Sequence, residues 1–298
     1  MRSYRDLMNL LYQNNEIKFQ VCENISLAIT KLIKTEIIEN TKLKRDFLQG
    51  FTRFTNYRIF PNIRMNNFLN SLQTQGYKTV FSDSLKTQSR LIIGLGSQHV
   101  LETSITLHHI FGIPYIPASA LKGVCRMVAF WKLAENKGIQ NDNRELEKLQ
   151  EKFYGELCKD DKEILKYQLL FGAQNFKGLL LFLDAYPKIG NNQKIFDLDI
   201  MNVHYKSYYE GKEAPGDWEN PRPIVFLTLK EGIEFEFYVL FDEFRWEKVK
   251  SQYSEILKNE LEELVNNNEF FEEILRSALL DFGIGSKTRL GYGLFEEI

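Results

Sequence analysis

The stretch IPYIPASALKGVCRMVAFWKLAENKG, Ile113 to Gly138, decides how the rest of the chain is read. Ser119 is a residue type that caps helices, and Leu121, Val124, Met127, Val128 and Trp131 recur at the spacing of one helix face. The stretch therefore predicts a helix opened by Ser119, with those five side chains as its buried stripe. Lys122 and Arg126, four residues apart, project from one face. A helix N-terminus offers unpaired amides and a partial positive charge, so Ser119 and Lys122 in the first turn, with Arg126 below, suit an anion. On these residues alone, an ordinary capped helix carrying two solvated cations is the better reading.

Working outward from this helix gives an alternation of element types. Residues 4–40 read as helical, with Leu7, Leu10 and Leu11, then Ile25, Ile29, Leu32 and Ile33, at helical spacing. RMNNFLNSLQTQG, closed by Gly76, is a further short helix, and strands are expected between Lys86 and Ile110. Downstream, NDNRELEKLQEKFYGEL reads as a charged helix within an insertion and KGLLLFLDAYP as a short strand buried on both faces. PIVFLTL and IEFEFYVLF form an expected hairpin turning at Lys230-Glu231-Gly232. Residues 245–280 are helical, and TRLGYGLFEEI closes as a strand. The order is that of an α+β domain of βαββαβ type with insertions.

Composition narrows the function class. A 298-residue chain with 44% hydrophobic and 13% aromatic residues can bury a large core. No apolar run is long enough to span a bilayer, and Arg2, Arg5, Asp6 and Glu16 interrupt the opening, so no signal peptide is expected. Cys22, Cys125 and Cys158 are scattered, never spaced as CxxC, and suit a reducing cytoplasm. The net charge of −2 hides an asymmetry: residues 1–100 hold 14 Lys+Arg against 7 Asp+Glu. Most of that excess lies in residues 41–90, interleaved with Phe47, Phe51, Phe54, Tyr57, Phe60, Phe68, Tyr77 and Phe81. Cations beside stacking surfaces suit single-stranded nucleic acid; a solvated face over an aromatic core is an equal alternative.

A second anion candidate is GIGSKTRLGYG, Gly283 to Gly293. It is no Walker A loop, because Ser286 stands before Lys287 and a strand pattern follows Thr288. It is no dinucleotide fingerprint either, because Thr288 occupies the last glycine position. Glycines nonetheless let the backbone approach a bulky partner, successive amides can form an anion nest, and Lys287 and Arg289 add charge. A tight helix-to-strand connection needing glycine for geometry alone weighs equally.

Several stretches together resemble one family. LHHIFGIPYIPASALKGVCR resembles the signature of the RAMP (repeat-associated mysterious protein) superfamily, and FGIGSKTRLGYG its C-terminal glycine-rich loop. FGAQNFKGLLLFLDAYP, DIMNVHYKSYY and PGDWENPRPIVFLTL are similar to the sixth-subunit family of the Cmr complex, the type III-B CRISPR effector. The similarity runs over roughly residues 85–298; Ala118, where a glycine is usual, is a departure. The resemblance implies an RRM-like, ferredoxin-like βαββαβ domain at 85–298, with insertions near 136–170 and 188–222, behind a helical extension at 1–84. It also implies a cytoplasmic, non-catalytic subunit without cofactor or metal, which holds the 3′ region of the CRISPR guide RNA at the head of a filament during antiviral defence. Its partners would be guide RNA, target RNA, neighbouring RAMP proteins and the small helical Cmr subunit. The implied RNA-binding residues are Ser119, Lys122, Arg126, His108, Gly283, Gly285, Ser286, Lys287, Thr288 and Arg289. Tyr205, Tyr208, Tyr209 and Trp218 would suit a thumb pushed between base pairs, with core packing their stronger rival.

His99, His108, His109 and His204 could supply an acid–base pair that cleaves guide precursors through the 2′-OH, provided two of them converge on one phosphate. Asp184, Asp197 and Asp199 could be read as a metal cluster, but capping and turn roles explain them equally.

Overall fold

The computed structural model describes residues 8–9, 11–13, 16–18, 24–55, 57, 62–203, 208, 211–212, 214 and 222–298. In chain order these form β1 (Tyr12–Gln13), β2 (Glu16–Ile17), α1 (Ile25–Thr30), α2 (Thr35–Glu39), α3 (Thr41–Phe51), α4 (Asn62–Thr74) and β3 (Tyr77–Thr87). There follow α5 (Ala118–Asn136), α6 (Asn143–Tyr154), α7 (Lys162–Phe171), β4 (Leu180–Phe182), β5 (Tyr186–Lys188), β6 (Phe196–Val203), β7 (Arg222–Leu229) and β8 (Glu234–Asp242). The C-terminal part holds α8 (Glu243–Val249), α9 (Glu255–Asn267), α10 (Glu269–Arg276), a π-helical turn (Ser277–Phe282) and β9 (Phe295–Glu297). The result is a mixed α/β protein with antiparallel sheets.

Two compact units are interleaved along the chain: residues 1–59, 89–115 and 188–233 form one, and residues 60–88, 116–187 and 234–298 the other. The boundary expected at residue 84 falls inside β3, whose Leu85 and Lys86 still pair with β8 and β9. Strand pairing is the reason: a long strand cannot be divided without breaking its ladder.

The second unit is built on the sheet β4-β8-β3-β9, with β5 also paired to β8. β3 and β8 run antiparallel from Tyr77↔Asp242 to Lys86↔Glu234, with a bulge between Thr79 and Phe81. Alternation along β8 buries Phe235, Phe237, Val239 and Phe241, and Phe295 of β9 packs edge-on against Phe237, ring centroids 5.3 Å apart. Leu240 points the other way, into a cluster with Met65 and Leu72 of α4 and Leu183. Both faces are therefore covered, and each fully buried phenylalanine contributes about 1.5–3 kcal/mol of transfer free energy.

Helix α5 forms where it is expected, but its buried side differs. Leu121, Cys125, Val128, Ala129, Leu133 and Ala134 are buried, Val124 and Met127 are half-buried, and Trp131 is 41% exposed. The i, i+4 spacing of small Cys125 and Ala129 lets the helix sit closer to its neighbours than the bulkier stripe would. Asp142, Asp161 and Asp242 cap α6, α7 and α8 by accepting first-turn amides.

In the first unit, the described residues of 4–40 hold helical positions at Met8, Asn9 and Leu11, then a two-residue β pair and the short helices α1 and α2, not one helical run. Asn24 accounts for part of this. The Asn24 side chain caps α1 through the Leu27 amide and donates to the His109 and Ile110 carbonyls, at 2.8 and 3.0 Å. Of the segment 86–110, Lys86 and Thr87 end β3 and residues 88–110 are irregular, with isolated bridges Leu91↔Leu229 and Leu107↔Pro114 rather than regular strand. The expected hairpin between β7 and β8 does not form. β7 pairs with β6, in register Phe196↔Leu229 to Val203↔Arg222, while β8 belongs to the other sheet. β6 lies in the stretch expected as an insertion, although Phe196 to Ile200 alternates with period two, a pattern that pairs a strand and sets its register.

Candidate nucleic-acid interface

Ser119 lies in the first turn of α5, not before it. The N-cap is Pro117, which has no side chain to donate or accept, and the cap arrives from a distant segment: Asp184 Oδ1 accepts the Ala118 amide at 2.7 Å. Reciprocal backbone bonds of 2.9 Å between Ile116 and Ala185 place Asp184 there. This settles Asp184 as a cap, and Ala118 meets the turn without a positive φ. The Ala120 and Leu121 amides return to the Pro117 carbonyl at 2.9 and 3.2 Å. Ser119 is exposed, and among the described residues its hydroxyl has no hydrogen-bond partner.

Three cations gather below it. Lys122 is half-buried, and its pKa is held below the ordinary lysine value first by burial and then by the charges of Arg126 and Lys177. Among the described residues no carboxylate pairs with Lys122 or Arg126, and the pKa of neither is raised by an acidic neighbour. Arg126 and Lys122 nevertheless serve differently. The Arg126 guanidinium donates through Nη2 to the Phe153 carbonyl at 3.2 Å and the Gly172 carbonyl at 3.0 Å, and lies 4.5 Å from the centre of the Tyr154 ring. Burial depresses its pKa, with Tyr154 opposing. It is turned toward the protein, tying α5 to the ends of α6 and α7, whereas Lys122 has no such tie.

The glycine loop is pinched at its base. Gly283, at φ 74 and ψ 164, follows the π-helical turn, and the Ile284 amide donates to the Gly293 carbonyl at 2.9 Å. A Cβ on Gly293, whose φ is 75, would stand 2.0 Å from the Ile284 carbonyl oxygen. Glycine is thus required at 293 for close backbone approach, and at 283 it is favoured by the positive φ. Lys287 is left-handed, at φ 63, and its carbonyl accepts from the Leu290 amide at 2.9 Å. A single 3₁₀ turn, Thr288–Leu290, replaces the start of the expected closing strand, which is confined to β9. Gly285, Arg289 and Leu290 are exposed; Ser286, Lys287 and Thr288 are half-buried.

Both stretches belong to the same unit, and the π-helical turn that leads into the loop packs against α5. His108 belongs to the other unit. Its Nδ1 accepts the Ile110 and Phe111 amides at 3.2 and 3.3 Å, and its ring stacks on His109 at 5.1 Å and leans on Phe111 at 4.7 Å. His99 accepts the Leu101 amide at 3.2 Å, and burial lowers its pKa. His204 lies outside the described residues, as do Tyr205, Tyr209 and Trp218; Tyr208 is exposed.

Asp197 and Asp199 are taken by Arg90, whose Nη2 and Nη1 reach them at 3.0 and 2.7 Å. Being two apart on a strand, the carboxylates share one face, which suits a forked guanidinium. Of the aromatics in residues 41–90, Phe47, Phe51, Phe54 and Phe81 are core, Phe68 is exposed and Phe60 lies outside the described residues. The aromatic-core reading of that segment therefore holds for those four rings. Sequence reasoning missed Lys177 and Arg90, each of which acts across a long sequence separation, whereas the capping role offered for Asp184 is the one it has.

The RAMP superfamily model matches residues 84–296. The CRISPR system Cmr subunit Cmr6 of Pyrococcus furiosus is 34% identical over 266 residues, 78% of this chain and 70% of that protein. Cmr6 of Saccharolobus solfataricus is 25% identical over 268 residues, covering 89% of this chain and 71% of its own length. The crystal structure of Pyrococcus furiosus Cmr6 aligns with 74% of this chain and 99% of its own, at 33% identity and a TM-score of 0.46. A chain in the cryo-EM structure of type III-B Cmr-beta bound to cognate target RNA aligns with 98% of this chain and 86% of its own, at 21% identity and a TM-score of 0.51. With the family model spanning most of the chain and a relative at this identity, the chain belongs to the RAMP superfamily, within its Cmr6 family.

Proposed function

We propose that this chain is a non-catalytic RNA-binding subunit of a cytoplasmic type III-B CRISPR effector, holding the 3′ region of the guide RNA at the head of the RAMP filament. The observation that carries the reading is the half-buried Lys122 at the exposed helix end, one turn before Arg126 on α5, with its pKa lowered first by burial and then by the charges of Arg126 and Lys177. Crowding cations while desolvating one of them costs free energy, and a phosphodiester offsets that cost on binding. Ser119 supplies an unpartnered hydroxyl at the same helix end, and the pinched loop 283–293 supplies Lys287, Arg289 and turn amides. Such groups grip a backbone without reading bases, as a subunit that holds guides of any sequence requires. The strand order β4-β8-β3-β9 with helical crossovers supports an RRM-like, ferredoxin-like framework. His108, in the other unit, accepts two amides of its own loop through Nδ1.

The test is Lys122→Ala with Lys287→Ala in the reconstituted effector. Guide RNA recovered per purified complex should fall severalfold while the subunit still assembles and keeps its circular dichroism. Undiminished guide content in the mutant complex overturns the assignment. Incubating the chain alone with labelled repeat RNA should leave it intact; metal-independent cleavage abolished by His108→Ala would overturn the non-catalytic part.

A further inference from the structure

The connection between α7 and β4, residues 172–179, is held more firmly than an exposed loop requires. Two arginines grip its ends. Arg126 of α5 donates to the Gly172 carbonyl at 3.0 Å, and Arg245 of α8 donates through Nη1 to the Lys177 carbonyl and, at 3.2 Å, to the Gly178 carbonyl. The Arg245 guanidinium also lies 4.8 Å from the centre of the Phe176 ring. The two ends of the loop touch: a Cβ on Gly178 would stand 2.5 Å from the Leu170 carbonyl oxygen and 2.6 Å from the Gly172 nitrogen. Between them the Ala173 amide donates to the Phe176 carbonyl and the Gln174 amide to the Gly155 carbonyl, both at 2.9 Å. These bonds fix main chain and leave the side chains of Gln174, Asn175 and Lys177 at exposed positions.

The same bonds set Lys177 beside the cations of α5. Gly178 abuts Gly172, Gly172 is held by Arg126, and Lys122 lies one turn before Arg126. Among the described residues no carboxylate pairs with Lys177. The far side of the loop has the opposite character, since Gln174 lines a cleft with Glu147 and Glu151, which repel a phosphate. We propose that Lys177 is a further contact to the ribose-phosphate backbone, next along the strand from Lys122, and that Arg245 is its positioning residue, acting through the Lys177 main chain. The inference rests on the guide-binding reading and deepens it: the strand passes from α5 onto this loop on its Lys177 side. A fixed main chain confines the ordering cost of gripping a phosphate to the lysine side chain, so rigidity here favours binding. Arg245 is engaged with two carbonyls and a ring, and its effect on RNA runs through the loop.

The experiment uses the reconstituted effector with a guide labelled at its 3′ end, and reads the rate at which a 3′-to-5′ exonuclease removes the label. Lys177→Ala should speed removal about two- to fivefold, as the loss of one exposed ionic contact implies, and Lys177→Arg should restore the parent rate. Arg245→Ala should also speed removal, but add nothing in a chain that already carries Lys177→Ala; a residue that only stabilises the fold would act equally in both backgrounds. The Lys122→Ala, Lys287→Ala effector is the reference. If it too keeps the parent rate, the guide-binding reading falls and this inference with it. A fast reference beside an unchanged Lys177→Ala rate overturns the Lys177 contact alone. Equal rates for Lys177→Ala and Lys177→Arg overturn it as well, and an Arg245→Ala effect undiminished without Lys177 overturns the positioning role.

Discussion

Replacing Gly293 with alanine tests whether the loop 283–293 is closed by backbone contact, and Gly291→Ala is its internal control. Both residues have positive φ, 75 and 85, so alanine at either carries the left-handed cost of about 1–2 kcal/mol. Only at position 293 does the new Cβ meet protein: it would stand 2.0 Å from the Ile284 carbonyl oxygen, whereas nothing lies within 4 Å of a Cβ at 291. Since that oxygen is main chain, relief requires the two strands of the loop base to part, which breaks the 2.9 Å bond from the Ile284 amide to the Gly293 carbonyl. Losing that bond between buried residues adds about 1–3 kcal/mol. Gly293→Ala should therefore cost about 2–5 kcal/mol, and Gly291→Ala about 1–2 kcal/mol. Urea unfolding of the two variants beside the parent gives both numbers. Equal losses for the two variants would refute the closed-base geometry, and with it the claim that Gly293 is needed for approach rather than for turning alone.

Other expectations follow from neighbouring features. Arg126→Ala leaves the Phe153 and Gly172 carbonyls without their donor and should lower stability by about 1–3 kcal/mol in urea unfolding, while Arg126→Lys, lacking the fork, should recover only part of it. Arg90→Ala should change global stability by under about 1 kcal/mol, because the pairs are partly exposed, yet should speed hydrogen exchange at Asp197–Asp199 on β6; unchanged exchange would exclude Arg90 as the clamp of the β6–β7 ladder. Lys122 has a folded pKa below its unfolded value, so the unfolded chain binds more protons in the window just under 10.5, and stability should rise with pH there. Lys122→Met should flatten that rise in urea midpoints, and bound RNA should reverse it by favouring the protonated amine.

The elements most legible in the sequence were those whose pattern is local. Helices α5 and α6 and strands β7 and β8 carry their own periodicity or alternation, so each was located to within a few residues. What the pattern could not convey was pairing. β7 and β8 look like a hairpin because a glycine turn separates two apolar strands, yet Lys230 instead donates to the Ile195 carbonyl at 2.8 Å, returning to the segment that enters β6, while β8 goes to β3. A short turn between strands sets how near their ends lie, not which edges they occupy.

The same limit governs the candidate site. Lys122 and Arg126 are indistinguishable as residues: both are cations in one helix, one turn apart, and sequence reasoning gave them one role. Their difference arises from what lies opposite. Arg126 meets Tyr154 and two carbonyls at the ends of α6 and α7, contributed by a segment 27 to 46 residues away. Lys122 meets only other positive charge. A guanidinium with five donors can satisfy carbonyls and still stack on a ring, so it becomes a structural clip where such partners converge. An ammonium among cations has no such outlet among the described residues, which is why the proposed function gives the anion contact to Lys122. If the two were exchanged, Lys122→Arg with Arg126→Lys, stability and guide retention should both fall. A swap that left both intact would show that total charge at this helix end, not its division between clip and contact, is what the fold requires.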